Sequence, residues 1–158
     1  MTMRRIVTTL AFLAMGLTMS GQIAWAAGGG GGGGAKKPSE LIEAEKAIEA
    51  ADYRSAIGYL EKVVTDSPDN ADAFNYLGYS YRKLGDLGTS KGYYEKALAL
   101  DPEHRGAHEY IGELYLQLGD IQNAEAHLES LDKICFFGCD EYYDLKKAVQ
   151  KYKAEHQG

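Results

Sequence analysis

A segment at the centre of the chain, residues 71–104, reads ADAFNYLGYSYRKLGDLGTSKGYYEKALALDPEH. It contains two runs in which apolar or small residues recur at three- and four-residue steps, the spacing typical of an amphipathic helix. Gly85 and Asp86 separate the runs. Pro102 ends the second run because proline cannot continue the helical hydrogen-bond ladder. The segment therefore predicts two antiparallel helices joined by a tight turn.

The spacing of the second run recurs 34 residues away on both sides. The matching triplets are Ala56, Leu60 and Val63, then Ser90, Tyr94 and Ala97, then Ala124, Leu128 and Leu131. An internal period of this length indicates a helical solenoid. Each unit of a solenoid buries its apolar face only against its neighbours and leaves an extended surface for binding. The period predicts repeats at about residues 37–70, 71–104 and 105–138.

The central unit resembles the tetratricopeptide repeat (TPR) signature nearly position for position. The residues that carry this resemblance are Phe74, Leu77, Gly78, Tyr81, Ser90, Tyr94, Ala97 and Pro102. The next unit is similar through His108, Ile111, Gly112, Tyr115, Gly119, Ala124 and Leu128, with Phe136 in place of the closing proline. The resemblance implies an all-α, right-handed TPR solenoid of three helix-turn-helix repeats within residues 38–157.

The first unit matches the signature only in its second helix and in Pro68. Its first helix shows an apolar stripe of shifted phase, formed by Leu41, Ala44, Ile48 and Ala51. In all three units an aspartate stands at the turn between the helices, namely Asp52, Asp86 and Asp120. We expect these aspartates to cap helix N-termini, and residues 140–153 to form the C-terminal capping helix that such arrays need.

The N-terminus has the three-part pattern of a secretory signal. Arg4 and Arg5 precede an apolar run of 14 residues, and Ala24-Trp25-Ala26 offers a cleavage site. The run is shorter than the roughly 20 residues that cross a bilayer. We therefore expect a cleaved Sec-type signal peptide over residues 1–26, a periplasmic or secreted protein, and no membrane insertion after cleavage. An uncleaved anchor is the alternative.

Residues 27–37 include an unbroken run of seven glycines, from Gly28 to Gly34. Such a segment is expected to be a flexible linker. It is either a tether that keeps the domain clear of the signal or a neutral low-complexity expansion.

Charge and composition narrow the classes of partner. The net charge is −6 and becomes −8 once Arg4 and Arg5 leave with the signal. An acidic chain without a basic run argues against nucleic acid and against anionic membrane surfaces. All four methionines lie in the signal, so a methionine-based copper site is excluded for the mature chain.

The resemblance implies that the first helix of each unit forms the inner, concave surface. The matching positions are Asp72, Asn75, Tyr79, Arg82 and Lys83, then Glu109, Glu113, Leu116 and Gln117. Arg82 and Lys83 would face a rim that is acidic because of Glu109 and Glu113. This pattern suits an extended peptide with both signs of charge, or a peptide aromatic that stacks on Tyr79. The alternative is that these are merely solvated helix faces.

Two further observations bear on those positions. Chaperone-binding members of the family that the sequence resembles hold a peptide's terminal carboxylate with a clamp of asparagine and lysine residues. These residues do not recur at the matching positions, so capture of a terminal carboxylate is not supported. Of the 12 tyrosines, Tyr81, Tyr94 and Tyr115 fall on packing positions and are expected in the core, whereas Tyr79 points outward.

Cys135 and Cys139 flank a short loop before the capping helix. In an oxidising compartment such a pair usually forms a disulfide, which would stabilise the fold by about 2 kcal/mol. A thiol-redox or apocytochrome-handling helper that uses this pair is the alternative function. A metal site needs about four ligands, and His104, His108 and His127 do not supply a convincing set. No cofactor is expected.

No nucleophile, base and acid can be assembled from the residues left after structural roles are assigned. The sequence therefore predicts a non-catalytic protein-interaction adaptor or scaffold in the cell envelope. Its partner, an extended peptide or a protein, would bind the concave surface. The sequence does not indicate the oligomeric state.

Overall fold

In a computed structural model, residues 37–156 are described and form seven helices. The helices are α1 Ser39–Glu49, α2 Tyr53–Asp66, α3 Ala71–Lys83, α4 Leu87–Leu100, α5 Arg105–Gln117, α6 Ile121–Ile134 and α7 Asp140–His156. This part of the chain contains no strand. None of its helices combines the length and the apolar character needed to span a bilayer. The signal segment and the glycine-rich linker, apart from Lys37, lie outside the described residues.

Polar side chains start five successive helices. The carboxylate of Asp52 accepts a hydrogen bond from the backbone N–H of Ser55, and Asp86 and Asp120 cap α4 and α6 in the same way. At the turns between repeats, the Asn70 side chain caps α3 and the His104 Nδ1 caps α5. Since a capping side chain satisfies an otherwise unpaired N–H group, the aspartates have the structural role that their position predicts.

The helices form two layers. Each helix packs against the next one in the chain, and α5 also contacts both α3 and α7. The helices α3, α5 and α7 therefore lie side by side, while α4 and α6 pack on the other side of them. The predicted all-α helical-repeat fold is confirmed.

The core runs along the junction of the layers as three apolar clusters. One joins α1, α2 and α3, the second surrounds Tyr94 and Ile111, and the third joins α6 to α7. Tyr94 is fully buried, as the sequence predicts, and Tyr81 and Tyr115 pack partly buried against these clusters. Leu145 and Val149 bury the inner face of α7, which therefore closes the array.

Gly78 is required because the ring of Tyr94 lies directly on it. A Cβ atom at Gly78 would come 2.6 Å from the Tyr94 Cδ1 atom. The hydroxyl of Ser90 also donates a 2.7 Å hydrogen bond to the Gly78 carbonyl oxygen. One period later, a Cβ at Gly112 would meet the side chain of Leu145 at 2.6 Å. Small residues at these positions let neighbouring helices approach closely.

We expect Gly78→Ala to lower the free energy of unfolding by about 1–3 kcal/mol, because the methyl group overpacks a rigid, buried ring. The matched control is Gly92→Ala on α4, where a Cβ meets nothing within 4 Å. That change should raise the free energy of unfolding by up to about 1 kcal/mol through helix propensity. Urea denaturation followed by circular dichroism measures both, and equal effects of the two variants would contradict this interpretation.

Three aromatic side chains lie in contact in the central repeat. The equivalent positions of the next repeat hold two histidines and a tyrosine, which are also in contact. The first set is Phe74, Tyr93 and Tyr81, and the second is His108, His127 and Tyr115. The Nδ1 atoms of His108 and His127 are 2.9 Å apart, and the His108 Nε2 lies 2.9 Å from the Pro102 carbonyl oxygen. If both rings are neutral, His108 donates to Pro102 and accepts from His127.

This histidine pair should make the fold sensitive to acid. Burial, followed by the nearby His108, lowers the pKa of His127 to about 4. The unfolded chain, with a histidine pKa near 6.5, then binds more protons than the folded chain between about pH 4 and 6.5. The contribution to stability is fully present above about pH 6.5 and is lost as the pH falls towards 4.

The double variant His108→Phe/His127→Tyr restores the aromatic pair of the central repeat. Its melting temperature should fall less than that of the wild type between about pH 7.5 and 5. The control is His156→Tyr at the exposed end of α7, which should follow the wild type. Parallel losses in the wild type and the double variant would show that other groups cause the acid sensitivity.

One local expectation was wrong. Ala51 is not part of the buried stripe of α1 but an exposed turn residue with φ 57°. It occupies the place of Gly85 and Gly119, whose φ angles are 87° and 79°, so the turn geometry recurs although the residue does not. Near the C-terminus, α6 ends at Ile134 and Gly138 (φ 84°) bends the following loop.

Candidate functional site

A continuous groove runs along α3, α5 and α7. It consists of three adjoining cavities of about 560, 300 and 450 Å³. Glu109 and Asp144 line both the first cavity and the second. Glu113 and Lys151 line both the second and the third. The N-terminal ends of α5 and α7 border one end of the groove, and the C-terminal ends of α3 and α5 border the other.

The first cavity, here called the acidic pocket, carries an excess of negative charge. Its carboxylates belong to Asp72, Asp101, Glu103, Glu109, Asp140, Glu141 and Asp144. Asp72 is 3.1 Å from the His104 Nε2, and this hydrogen bond lowers the pKa of its carboxyl. The Arg105 Nε lies 3.9 Å from Glu141. One arginine thus faces seven carboxylates.

Two side chains in the acidic pocket, Glu109 and Asn75, lack a partner for a polar group. Burial, and then the charges of Glu113, Asp144 and Glu141, raise the pKa of Glu109 to about 8. Within residues 37–156, Glu109 forms no ion pair. Asn75 is 3% exposed, and its Oδ1 has no hydrogen-bond partner in the described part of the protein.

The opposite end of the groove, here called the basic end, carries lysines. Lys83 is exposed on α3, and its Nζ lies 5.1 Å from the centre of the Tyr79 ring. Lys151 contributes from α7, with its Nζ 3.9 Å from the Glu155 carboxylate of the same cavity, and Lys147 lines the adjoining middle cavity. Leu116 and Gln117 complete this wall.

Arg82 lines the third cavity, but its side chain is almost entirely buried, which the sequence did not predict. Its side chain is 4% exposed, and its Nη2 lies 2.7 Å from the Glu113 carboxylate. Its Nε also lies 3.3 Å from the Tyr94 hydroxyl. The guanidinium sits 5.5 Å from the Tyr79 ring centre and 5.7 Å from that of Tyr110. Its charge is therefore compensated within the fold.

Tyr79, expected to point outward, is half-buried instead. Its ring packs against Tyr53 at 6.1 Å and Tyr110 at 5.0 Å between centroids. It also contacts the cluster around Tyr94 and lines none of the three cavities. The structure places the other predicted residues along the groove: Asp72, Asn75 and Glu109 in the acidic pocket, and Lys83, Glu113, Leu116 and Gln117 towards the basic end.

The contribution of α7 to the groove was not predicted, because the helix was interpreted only as a cap. The signal for it was present: adding one more period of 34 to residues 106, 110, 113 and 117 gives Asp140, Asp144, Lys147 and Lys151. These four residues line the groove. The capping helix therefore continues the inner layer in sequence phase as well as in space.

Arg82→Lys should lower the free energy of unfolding by about 1–3 kcal/mol, because an ammonium group cannot reach Tyr94 and Glu113 at once. Lys83→Arg, the neighbouring exposed position, should change it by less than about 0.5 kcal/mol. Chemical denaturation of both variants tests this. A silent Arg82→Lys variant would show that the buried contacts contribute little.

The two cysteines are joined in a disulfide, with their Cα atoms 5.6 Å apart. Cys135 is 9% exposed and packs in the cluster that joins α6 to α7. Between the cysteines, Phe136 and Phe137 are 85% and 94% exposed. Among residues 37–156, no three histidine, cysteine or acidic side chains are grouped so that they could hold a metal ion.

Several solved structures share this fold. The TPR domain of Sgt2 from Aspergillus fumigatus is 18% identical, with a TM-score of 0.66 over 75% of this chain and 77% of that one. The first TPR of Spaghetti (RPAP3), bound to the HSP90 peptide SRMEEVD, is 18% identical, with a TM-score of 0.63 over 71% and 89%. PcrH, in complex with the chaperone-binding region of PopD, is 18% identical, with a TM-score of 0.63 over 73% and 90%.

The comparison of sequences agrees. The family model described as anaphase-promoting complex, cyclosome, subunit 3 matches residues 49–131, more than half of the chain. No curated protein matches. Because this match coincides with the helical repeats seen in the structure, the chain belongs to the tetratricopeptide repeat proteins that this family model describes.

Proposed function

We propose that the protein is a non-catalytic adaptor of the cell envelope that binds an extended peptide or a segment of a protein in the α3–α5–α7 groove. The single observation that carries this proposal is the groove itself, because three adjoining cavities follow the helices that the repeat pattern assigns to the inner layer. Grooves of this kind suit ligands that lie along them rather than compact small molecules.

The similar structures support the same class of function. The Spaghetti domain holds an HSP90 peptide, and PcrH holds a segment of PopD. The cell-envelope location rests on the N-terminal pattern of Arg4, Arg5 and the apolar run that follows.

A redox function is less well supported. Thiol–disulfide exchange needs a sulfur atom that is open to attack. Cys135 is buried in an apolar cluster, and Cys139 packs against the same cluster. The bond joins the last repeat to α7, so a structural role accounts for it.

Photocrosslinking in cells tests the adaptor proposal. A photoreactive residue at Gln117, in the groove, should give discrete protein adducts. The same residue at Lys96, exposed on α4 and outside the groove, should not.

Cell fractionation tests the location. The protein should be recovered from the periplasmic fraction, and mass spectrometry should give the mass of the chain cleaved after Ala26.

The charge reversal Lys83→Glu should reduce the adduct from Gln117, whereas the reversal Lys96→Glu should leave it unchanged. Adducts of equal yield from both crosslinking positions, or none from Gln117, would rule out the groove as the binding site. Uncleaved protein in the cytoplasmic fraction would rule out the proposed location.

A further inference from the structure

The groove is electrically polarised along its length. The acidic pocket lies at one end, and Lys147 lines the middle cavity. At the other end Glu113 is paired with Arg82 and Glu155 lies 3.9 Å from Lys151, so Lys83 leaves a positive excess there. Glu109 and Gln117 border the two ends on α5. Eight helical residues separate them, about 12 Å at 1.5 Å per residue. About four residues of extended peptide would span this distance.

The acidic character is not explained by helix starts alone. Negative side chains in the first turn of a helix are stabilised by the helix dipole, which accounts for Asp140 and Glu141 in α7. Glu109 and Asp144 lie beyond the first turns of α5 and α7, where that effect has faded. Both line the pocket, where Asp144 raises the pKa of Glu109, and no cation of the described residues forms an ion pair with either one.

A second, independent feature lies in the same pocket. Asn75 lines it from α3 with almost no exposed surface, and its Oδ1 accepts no hydrogen bond from residues 37–156. A buried acceptor without a donor is unfavourable. An ammonium or guanidinium group that entered the pocket would bring the donors that Asn75, Glu109 and Asp144 lack.

We propose that the acidic pocket binds a lysine- or arginine-rich segment of the partner polypeptide, and that the basic end binds acidic residues about four positions away along the same segment. The inference rests on the proposed adaptor function and adds the chemistry of the peptide. The capping helix is then part of the binding site, since α7 supplies carboxylates to one end and lysines to the other.

Fluorescence anisotropy with synthetic probes tests this on the purified protein. A labelled peptide of alternating lysine and glycine should bind at low salt and weaken as salt is added. Glu109→Lys and Asp144→Lys should each weaken it by about ten-fold or more, because like charge replaces attraction. The control Glu61→Lys makes the same charge change on the exposed face of α2, outside the groove, and should alter affinity by less than about two-fold.

Two further measurements separate site binding from general charge attraction. Asn75→Leu should weaken the lysine probe yet leave thermal stability unchanged or higher, because it removes an unpartnered buried acceptor. A probe in which four neutral residues join lysines to glutamates should bind more tightly than the lysine probe, and Lys83→Glu should abolish the difference.

Equal affinity of the lysine probe for the Glu109→Lys and Glu61→Lys proteins, or no binding to the wild type, would overturn the inference. An unchanged affinity in Asn75→Leu would also count against it. If adducts from Gln117 persist while the lysine-containing probes do not bind, the adaptor function stands and the proposed charge pattern of the ligand is wrong. If the adducts are missing too, both proposals fall.

Discussion

The contact between the Tyr94 ring and the backbone at Gly78 links the core of the protein to its groove. The ring occupies the space that a side chain at Gly78 would take. Its hydroxyl meets the Arg82 guanidinium, which in turn reaches Glu113 on the next repeat. A single line of contacts thus connects the packing of α3 on α4 with the surface of α5. This explains why the groove has a defined shape although it is built from separate helices.

The sequence predicted the fold well because the period of 34 residues carries both packing and turn chemistry. The aspartate caps at Asp52, Asp86 and Asp120 and the small residues at Gly78 and Gly112 recur in register. Ala51 was misassigned because a residue type can change while the backbone geometry stays. The spacing of apolar residues predicts which side chains share a helix face, but it does not predict the φ angle of a turn residue.

The site was harder to predict than the fold. Helical phase places Arg82 and Tyr79 on the inner layer, but it does not show which neighbours cover them. Tyr110 and Glu113 come from the next repeat and enclose the guanidinium. The carboxylates of α7 were not predicted to line the groove because α7 was interpreted only as a capping helix, although its phase follows the repeats. The first difference arises from contacts between repeats, which a pattern within one repeat does not contain, whereas the second was predictable from the 34-residue period.

The disulfide between Cys135 and Cys139 ties the end of α6 to the start of α7, next to Asp140 and Glu141. One wall of the acidic pocket is therefore fastened by a covalent bond, whereas the walls from α3 and α5 are held by non-covalent contacts, among them the Arg82–Glu113 ion pair. In a reducing environment the same wall would depend on Leu145 and Val149 for its position. The redox state of the surroundings would then help to set the width of the groove.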